Sequence, residues 1–246
     1  MMNFTTGIAC SLTLLGVAMA PIAHAGAEPP AQTFIDNGEL NYVGSLSEDA
    51  NRRVFALYDG AVNKPAVLSI RSKGGLTGAG IALGSWVHAR KLTVKVMEYC
   101  FSSCANYVFT AAPRKVVSNF AVIGYHGGLN SSTFSLDDKM EAMLAALPAA
   151  DRDKARQKID ESIRGELAKD REAETAFFGK IGVERRIATL GQGSAASFAH
   201  SEKSIGWTYS AAGFSRLGVG SIEVINPPWR PRFVNTDAQV TLIEVP

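Results

Sequence analysis

Short apolar runs alternate with stretches of helical periodicity over residues 66–125. Ala66-Val67-Leu68-Ser69-Ile70 and Leu92-Thr93-Val94-Lys95-Val96-Met97 read as strands, the first apolar almost throughout, as in a parallel sheet covered on both faces. Between them, residues 76–89 place Ile81, Leu83, Trp86 and Val87 at helical spacing. Gly78 and Gly80 would let that helix approach its neighbours closely. Upstream, residues 39–44 predict a short strand. Ser47 then caps a helix that opens on Glu48 and Asp49, suited to the positive end of its dipole, and continues through Val54, Phe55, Leu57 and Tyr58. Downstream, a helix opens at the Cys100–Cys104 segment and stops before Pro113, and short strands follow at 115–117 and 121–125. This alternation with short connections predicts βαβ units and an α/β fold with a mostly parallel sheet over 39–134.

The pattern changes over residues 135–190, which are charge-rich. Met140, Met143, Leu144 and Leu147, and later Ile159, Ile163 and Leu167, recur by threes and fours after a Ser135 cap. This is a helical insertion or arm whose charges form a solvated face. Residues 191–226 return to the α/β core, with a short helix at 209–217 and a strand at 221–225. Residues 26–38, rich in Ala, Pro and Gln, read as a linker. Residues 227–246 read as an extended tail with one further strand at 239–244, and Trp229 among prolines is placed to dock on the body or on a neighbour. No internal repeat is present.

Composition is that of an ordinary globular protein, with 46% hydrophobic and 20% charged residues and a net charge of +2. No Lys/Arg cluster is interleaved with aromatics, so no nucleic-acid partner is expected. Residues 8–20 form an apolar run too short for a bilayer span. It ends at Ala23-His24-Ala25, an Ala-x-Ala cleavage pattern. Residues 1–25 therefore read as a signal peptide, cleaved after Ala25, and the mature chain as periplasmic or secreted. The missing Lys and Arg before the run leave an uncleaved anchor as the alternative. Without Cys10, the mature chain keeps Cys100 and Cys104, an even number in an oxidising compartment. Their spacing fits no zinc framework. A pair four residues apart at a strand-to-helix turn can meet the roughly 4.4–6.8 Å Cα separation of a disulfide, and two buried thiols are the alternative.

Three segments at strand ends carry the chemistry: Ser72-Lys73-Gly74-Gly75, Cys100-Phe101-Ser102-Ser103-Cys104 and Gly124-Tyr125-His126. The glycine pair offers bare backbone N–H groups to an oxyanion, the serines a hydroxyl nucleophile, and the histidine a base that titrates near neutrality. Each also has an ordinary structural use. Gly74-Gly75 can be a plain turn, either serine can cap a helix, and a lone histidine is often held by a carbonyl. Order and spacing favour the chemical use. Lys73 reads as a solvated turn residue, although a Ser–Lys dyad would need a lysine there. His88 reads as structural or exposed, and His200, beside Glu202, as a weaker alternative base.

Residues 70–80, from Ile70 through Gly74-Gly75 to Gly80, resemble the Ser-x-Gly-Gly turn and following helix of the Clp protease proteolytic subunit. Cys100-x-Ser102-x-Cys104 with the later Gly-x-His resembles an exported, Clp-protease-like branch of the same ClpP/crotonase superfamily. The resemblance covers 40–126 and resumes weakly over 209–224. The insertion has no counterpart. It implies a spiral of ββα units, shared with crotonases and signal-peptide peptidases. It also implies an oxyanion turn at Gly74 and Gly75, with His126 as the base. The nucleophile stays open between two residues. The cysteine spacing matches Ser102, with Ser103 N–H completing the oxyanion hole, whereas the run Tyr107-Val108-Phe109-Thr110-Ala111 aligns best on Ser103.

The expected acid is absent. Ser204-Ile205-Gly206-Trp207 holds no carboxylate where the resemblance expects one, and Asp137, Asp138 and Glu202 are near in sequence only. Losing a triad acid can cost about 10⁴ in rate. Either a carbonyl or an insertion carboxylate substitutes, or the site binds without cutting. The reading that follows is an exported serine hydrolase or peptidase acting on a peptide or other acyl bond. No metal, organic cofactor or ATPase partner is expected, and a homo-oligomer is compatible with the arm. The rival is an inactive scaffold or oligomerisation module. An acyl-CoA-binding crotonase is weaker, because CoA is not expected outside the cytoplasm.

Overall fold

The computed structural model describes residues 29–129, 131, 138–192 and 203–245. The leader with Cys10 and Ala23-His24-Ala25, the Ser135 cap, Asp137, His200 and Glu202 lie outside the described residues, as do the side chains of Asp138, Met140 and Ile163. Chain order runs β1 (Gln32–Asp36), β2 (Glu39–Val43), α1 (Glu48–Gly60), β3 (Val67–Arg71), α2 (Thr77–Arg90), β4 (Thr93–Val96) and β5 (Tyr99–Phe101). A helix with π winding over Cys104–Phe109 follows, then β6 (Arg114–Ser118) and β7 (Val122–Gly124). The arm is α3 (Asp138–Ala145) and α4 (Ala149–Ile181), and β8 (Ser204–Thr208), α5 (Ala211–Arg216), β9 (Ile222–Ile225) and β10 (Gln239–Leu242) complete the chain.

These strands form two tiers. The main sheet has the order β1-β2-β3-β4-β6-β9 and is parallel except at β1. Leu68, Ile70, Val94, Val96 and Val117 are buried on it, and Leu83 and Val87 of α2 are buried with them. The second tier is made of short pieces. Ser72 bridges Cys100 of β5, β5 pairs with β7, Tyr125 bridges Trp207 of β8, and β8 pairs with β10. The strand-and-helix alternation read from the sequence is the observed mixed α/β architecture with a parallel-rich sheet. Ser47 caps α1 as its sequence implies, its Oγ accepting from Ala50 N–H. Among the described residues no helix is long and apolar enough to cross a membrane.

Several local features refine the sequence reading. The stretch read as a linker contains β1, which folds back on β2 through Asn37 and Gly38, both at positive φ. Asn-Gly is the preferred two-residue turn for such a hairpin, because both positions are left-handed. Gly78 meets no neighbour. The close approach is made at Gly80 and at Gly84, where a Cβ would fall 2.7 Å from the Tyr107 ring and 2.4 Å from its carbonyl oxygen. The arm's apolar spacing does not make a continuous core stripe: Leu144 is buried, but Met143 and Leu147 are exposed. α3 packs on α4. The last turns of α4 do enter the core through Phe177 and Phe178.

The tail follows its sequence reading, docking on the body through Trp229 and forming a strand within 239–244. Trp229 Nε1 donates to Ala121 O at 2.8 Å and its ring stacks on Phe214. Beyond it, β10 joins the second tier and buries Ile243 and Val245. β8 is a strand that the short Ser204-Ile205-Gly206-Trp207 pattern did not announce.

Candidate active site

Three chain turns meet in the second tier, and each is built by its local sequence. β3 ends at Arg71 and is followed by Ser72, whose Oγ accepts from Gly74 N–H and tightens the turn. Gly74 and Gly75 then take φ of 102° and 151°, a region that side chains rarely enter. Space demands glycine as well as conformation. A Cβ on Gly75 would lie 2.3 Å from Leu46 O, and one on Gly74 2.7 Å from Ser102 Cβ. The bridge to Leu46 uses the Gly74 carbonyl and the Leu76 N–H. Among the described residues no backbone hydrogen bond takes the Gly75 N–H.

β5 delivers the second turn. Cys100 and Cys104 are joined as a disulfide with Cα atoms 5.2 Å apart, and both are fully buried. The bridge spans Ser102, which sits at φ 57° in the left-handed region. A serine there costs on the order of 1 kcal/mol, and such an outlier persists only where its surroundings over-determine it. Here they do. Ser102 N–H is bonded to Gly124 O at 2.9 Å, its carbonyl accepts from Asn106 N–H at 2.8 Å, and the disulfide closes the loop. The result aims Ser102 Oγ at His126 Nε2, 2.7 Å away.

Ser103 is turned elsewhere. Its Oγ donates to Gly75 O at 2.9 Å and so ties the glycine turn to the helix behind Ser102. Its own N–H, at the helix start, enters no backbone hydrogen bond among the described residues. That helix and α2 both begin at the site, so two positive helix ends point toward Ser102. The Cys104–Phe109 stretch winds as a π-helix, a geometry often found at functional sites.

His126 follows β7 and is exposed to solvent. Phe101 lies flat against its ring, with centroids 5.4 Å apart and planes 5° from parallel. Room for the Phe101 ring comes from two glycines. A Cβ on Gly124 would strike it at 2.1 Å and one on Gly206 at 2.8 Å. The glycine of Gly-Tyr-His is thus explained by the phenylalanine, not by a turn. His88 stands apart, its Nδ1 against Ala111 O at 3.2 Å.

A cleft of about 500 Å³ opens over Ser102, Ser103, Gly75 and His126, with Leu167 and Arg171 of α4 on its far wall. α4 is fastened there from inside. Tyr107 OH donates to Glu174 Oε1 at 2.8 Å, and Glu174 is buried. Burial, and then the neighbouring Glu174 charge, push the Tyr107 hydroxyl well above its ordinary range, so it is a donor at any working pH. Asn106 Nδ2 donates to Gly127 O at 3.1 Å and holds the segment after His126. Among the described residues no three His, Cys, Asp or Glu side chains are grouped to hold a metal ion.

The geometry brings together Ser102, His126, Gly74 and Gly75, and sets the Ser103 side chain aside. Sequence reasoning missed Phe101, Gly206, Asn106, Arg171 and Glu174. Of these only Phe101 carried a signal, as the large residue alternating with Cys100 on a strand that leads into the Ser102 turn.

No family model matches the chain, and no curated protein sequence does. Solved structures are similar at low identity. The enoyl-CoA hydratase of Thermoplasma volcanium GSS1 is 7% identical with a TM-score of 0.29, over 37% of this chain and 49% of that one. Methylmalonyl CoA decarboxylase is 10% identical with a TM-score of 0.30, over 72% and 86%. A mutant of the 1510-N membrane-bound stomatin-specific protease is 12% identical with a TM-score of 0.32, over 84% and 96%. The chain spans about half the length of the hydratases it matches. At these TM-scores the likeness is slight, and the site's own geometry carries the functional reading.

Proposed function

We propose that this protein is an exported serine hydrolase of the ClpP/crotonase type that cleaves a peptide or other acyl bond. The observation that carries the reading is the left-handed Ser102 with its Oγ 2.7 Å from His126 Nε2, beside N–H groups of Gly75 and Ser103 that no backbone hydrogen bond takes among the described residues. Ser102 Oγ attacks the acyl carbon while His126 Nε2 takes the hydroxyl proton. The carbonyl oxygen becomes an oxyanion, and the Gly75 and Ser103 N–H groups, each at a helix start, donate to it. Collapse breaks the bond to the leaving group, which leaves with the proton from His126. Water, deprotonated by the same nitrogen, then releases the acyl group and restores Ser102.

Phe101 supports the reaction by fixing the imidazole plane. Ser103 positions the glycine turn rather than attacking. Export is part of the proposal, supported by the leader pattern of residues 1–25 and by a buried disulfide, which persists in oxidising compartments. Fluorophosphonate labelling of the mature protein, with the modified residue located by mass spectrometry, tests the reading. The expected adduct is on Ser102. An adduct on Ser103, or none under oxidising and reducing conditions alike, overturns it, and the second outcome would favour a scaffold.

A further inference from the structure

His126 lines two cavities, and they differ in chemistry. The cleft described above holds Ser102 and the N–H groups of Gly75 and Ser103. A second cavity of about 630 Å³ touches the other side of the imidazole and Phe101, but neither Ser102 nor Gly75. Its walls are Arg71 at the end of β3, Lys73 from the glycine turn, Glu98 and Tyr99, and Phe233, Asn235, Thr236 and Ala238 from the tail. Arg71 is paired with Glu98 at 2.9 Å, both about half exposed. Lys73 is exposed and forms no ion pair among the described residues. Arg232 lines the adjoining groove, which shares Arg71 and Tyr99. Three cations therefore face one carboxylate along this path.

Acyl transfer assigns the two sides. The acyl carbon must lie at Ser102 with its oxygen on the backbone N–H groups, so the acyl portion occupies the first cleft. The leaving group must receive its proton from His126 Nε2, and so departs along the imidazole. We propose that the second cavity is the leaving-group side, and that it selects peptides with acidic residues just after the scissile bond. Lys73 is the principal cation, Arg71 the second, and Tyr99 and Phe233 supply apolar surface for the intervening chain. The inference rests on the hydrolase reading for its direction, but the charge selection it predicts is a property of binding.

The test uses the full mature chain with Ser102→Ala, so that no peptide is consumed. Three peptides with identical N-terminal halves and a neutral fluorophore carry Asp/Glu, Asn/Gln or Lys/Arg in the C-terminal half. Anisotropy titrations should give about fivefold tighter binding of the acidic peptide than of the neutral one at low salt, the scale of one or two exposed ion pairs. That advantage should shrink toward unity at high salt. Lys73→Glu should abolish or reverse it. Lys180→Glu, an equal charge change on the exposed end of α4, should leave it intact. Equal affinities for the three peptides, or no binding of any, overturn the inference. Fluorophosphonate labelling of the chain with Ser102 intact runs alongside. Labelling with charge-blind binding sinks the groove alone, whereas charge-selective binding without labelling sinks the hydrolase and leaves the groove.

Discussion

In the main sheet, β3, β4 and β6 run in unbroken parallel register and bury aliphatic side chains that many sequences could supply. In the second tier, the strands are three to five residues long, paired two by two, linked to each other and to the main sheet by single bridges, and crowded by ring and backbone contacts that only glycine tolerates. The first region is held by a ladder and by apolar burial. The second is held by particular atoms: a disulfide, a left-handed serine, a phenylalanine seated over two glycines. Regular sheet positions the strand ends, and the irregular tier spends the resulting stability on aiming Ser102 and His126. Damage should therefore be local and severe in the second tier. The main sheet should contain the sites where change is tolerated or even helpful.

The largest expected effect is at Gly75. Gly75→Ala sets a Cβ 2.3 Å from Leu46 O, and backbone must move. A loss of about 4 kcal/mol in chemical denaturation is expected, together with loss of fluorophosphonate labelling. A variant of wild-type stability would contradict the view that this turn is over-determined.

The opposite sign is expected in the main sheet. Lys115 of β6 is 3% exposed, its Nζ donates to Gly220 O at 3.1 Å, and burial lowers its amine from 10.5 to about 8. Below pH 8 the native state must hold a buried charge. Between pH 8 and 10.5 the unfolded chain carries a proton that the native chain lacks, so stability rises with pH. Above that range the penalty is gone. Lys115→Met should therefore stabilise by up to about 3 kcal/mol at pH 7, with the gain fading as pH approaches 10.5. A pH-independent difference in denaturation midpoint would refute this.

Replacing both Cys100 and Cys104 by Ala should cost about 2 kcal/mol, as expected for so short a closed loop, and should slow labelling of Ser102. Unchanged stability and reactivity would remove the disulfide from the account. The smallest effect separates strain from chemistry. Ser102→Gly and Ser102→Ala both lose the hydroxyl, but glycine accepts the left-handed backbone. Ser102→Gly should be the more stable by about 1 kcal/mol. Equal thermal midpoints would mean that the backbone there is unstrained.

Much of the main sheet was legible, because buried parallel strands and capped amphipathic helices leave patterns within a few residues of each other. Ser47, the apolar run at 66–70 and the stop at Pro113 are of that kind. The hairpin of β1 was written in Asn37-Gly38, but the Ala- and Pro-rich surroundings concealed it. β8 was not legible, since Gly206 is explained by the Tyr125 carbonyl and the Phe101 ring, both far away in sequence. The choice between Ser102 and Ser103 could not be read either. Both residue types cap helices, and what separates them is the sign of one φ and the direction of one Cβ. Contacts local in sequence are readable, whereas the aim of a side chain depends on what closes around it.

The rate of fluorophosphonate reaction at Ser102, compared between the wild-type chain and His126→Ala, tests the central claim most directly. If His126 activates Ser102 through the 2.7 Å contact, the second-order rate constant should fall by about 10³-fold or more, the usual consequence of removing one member of such a pair. Equal rates in the two proteins, with both correctly folded, would mean that the contact is structural and that this site does not perform acyl transfer.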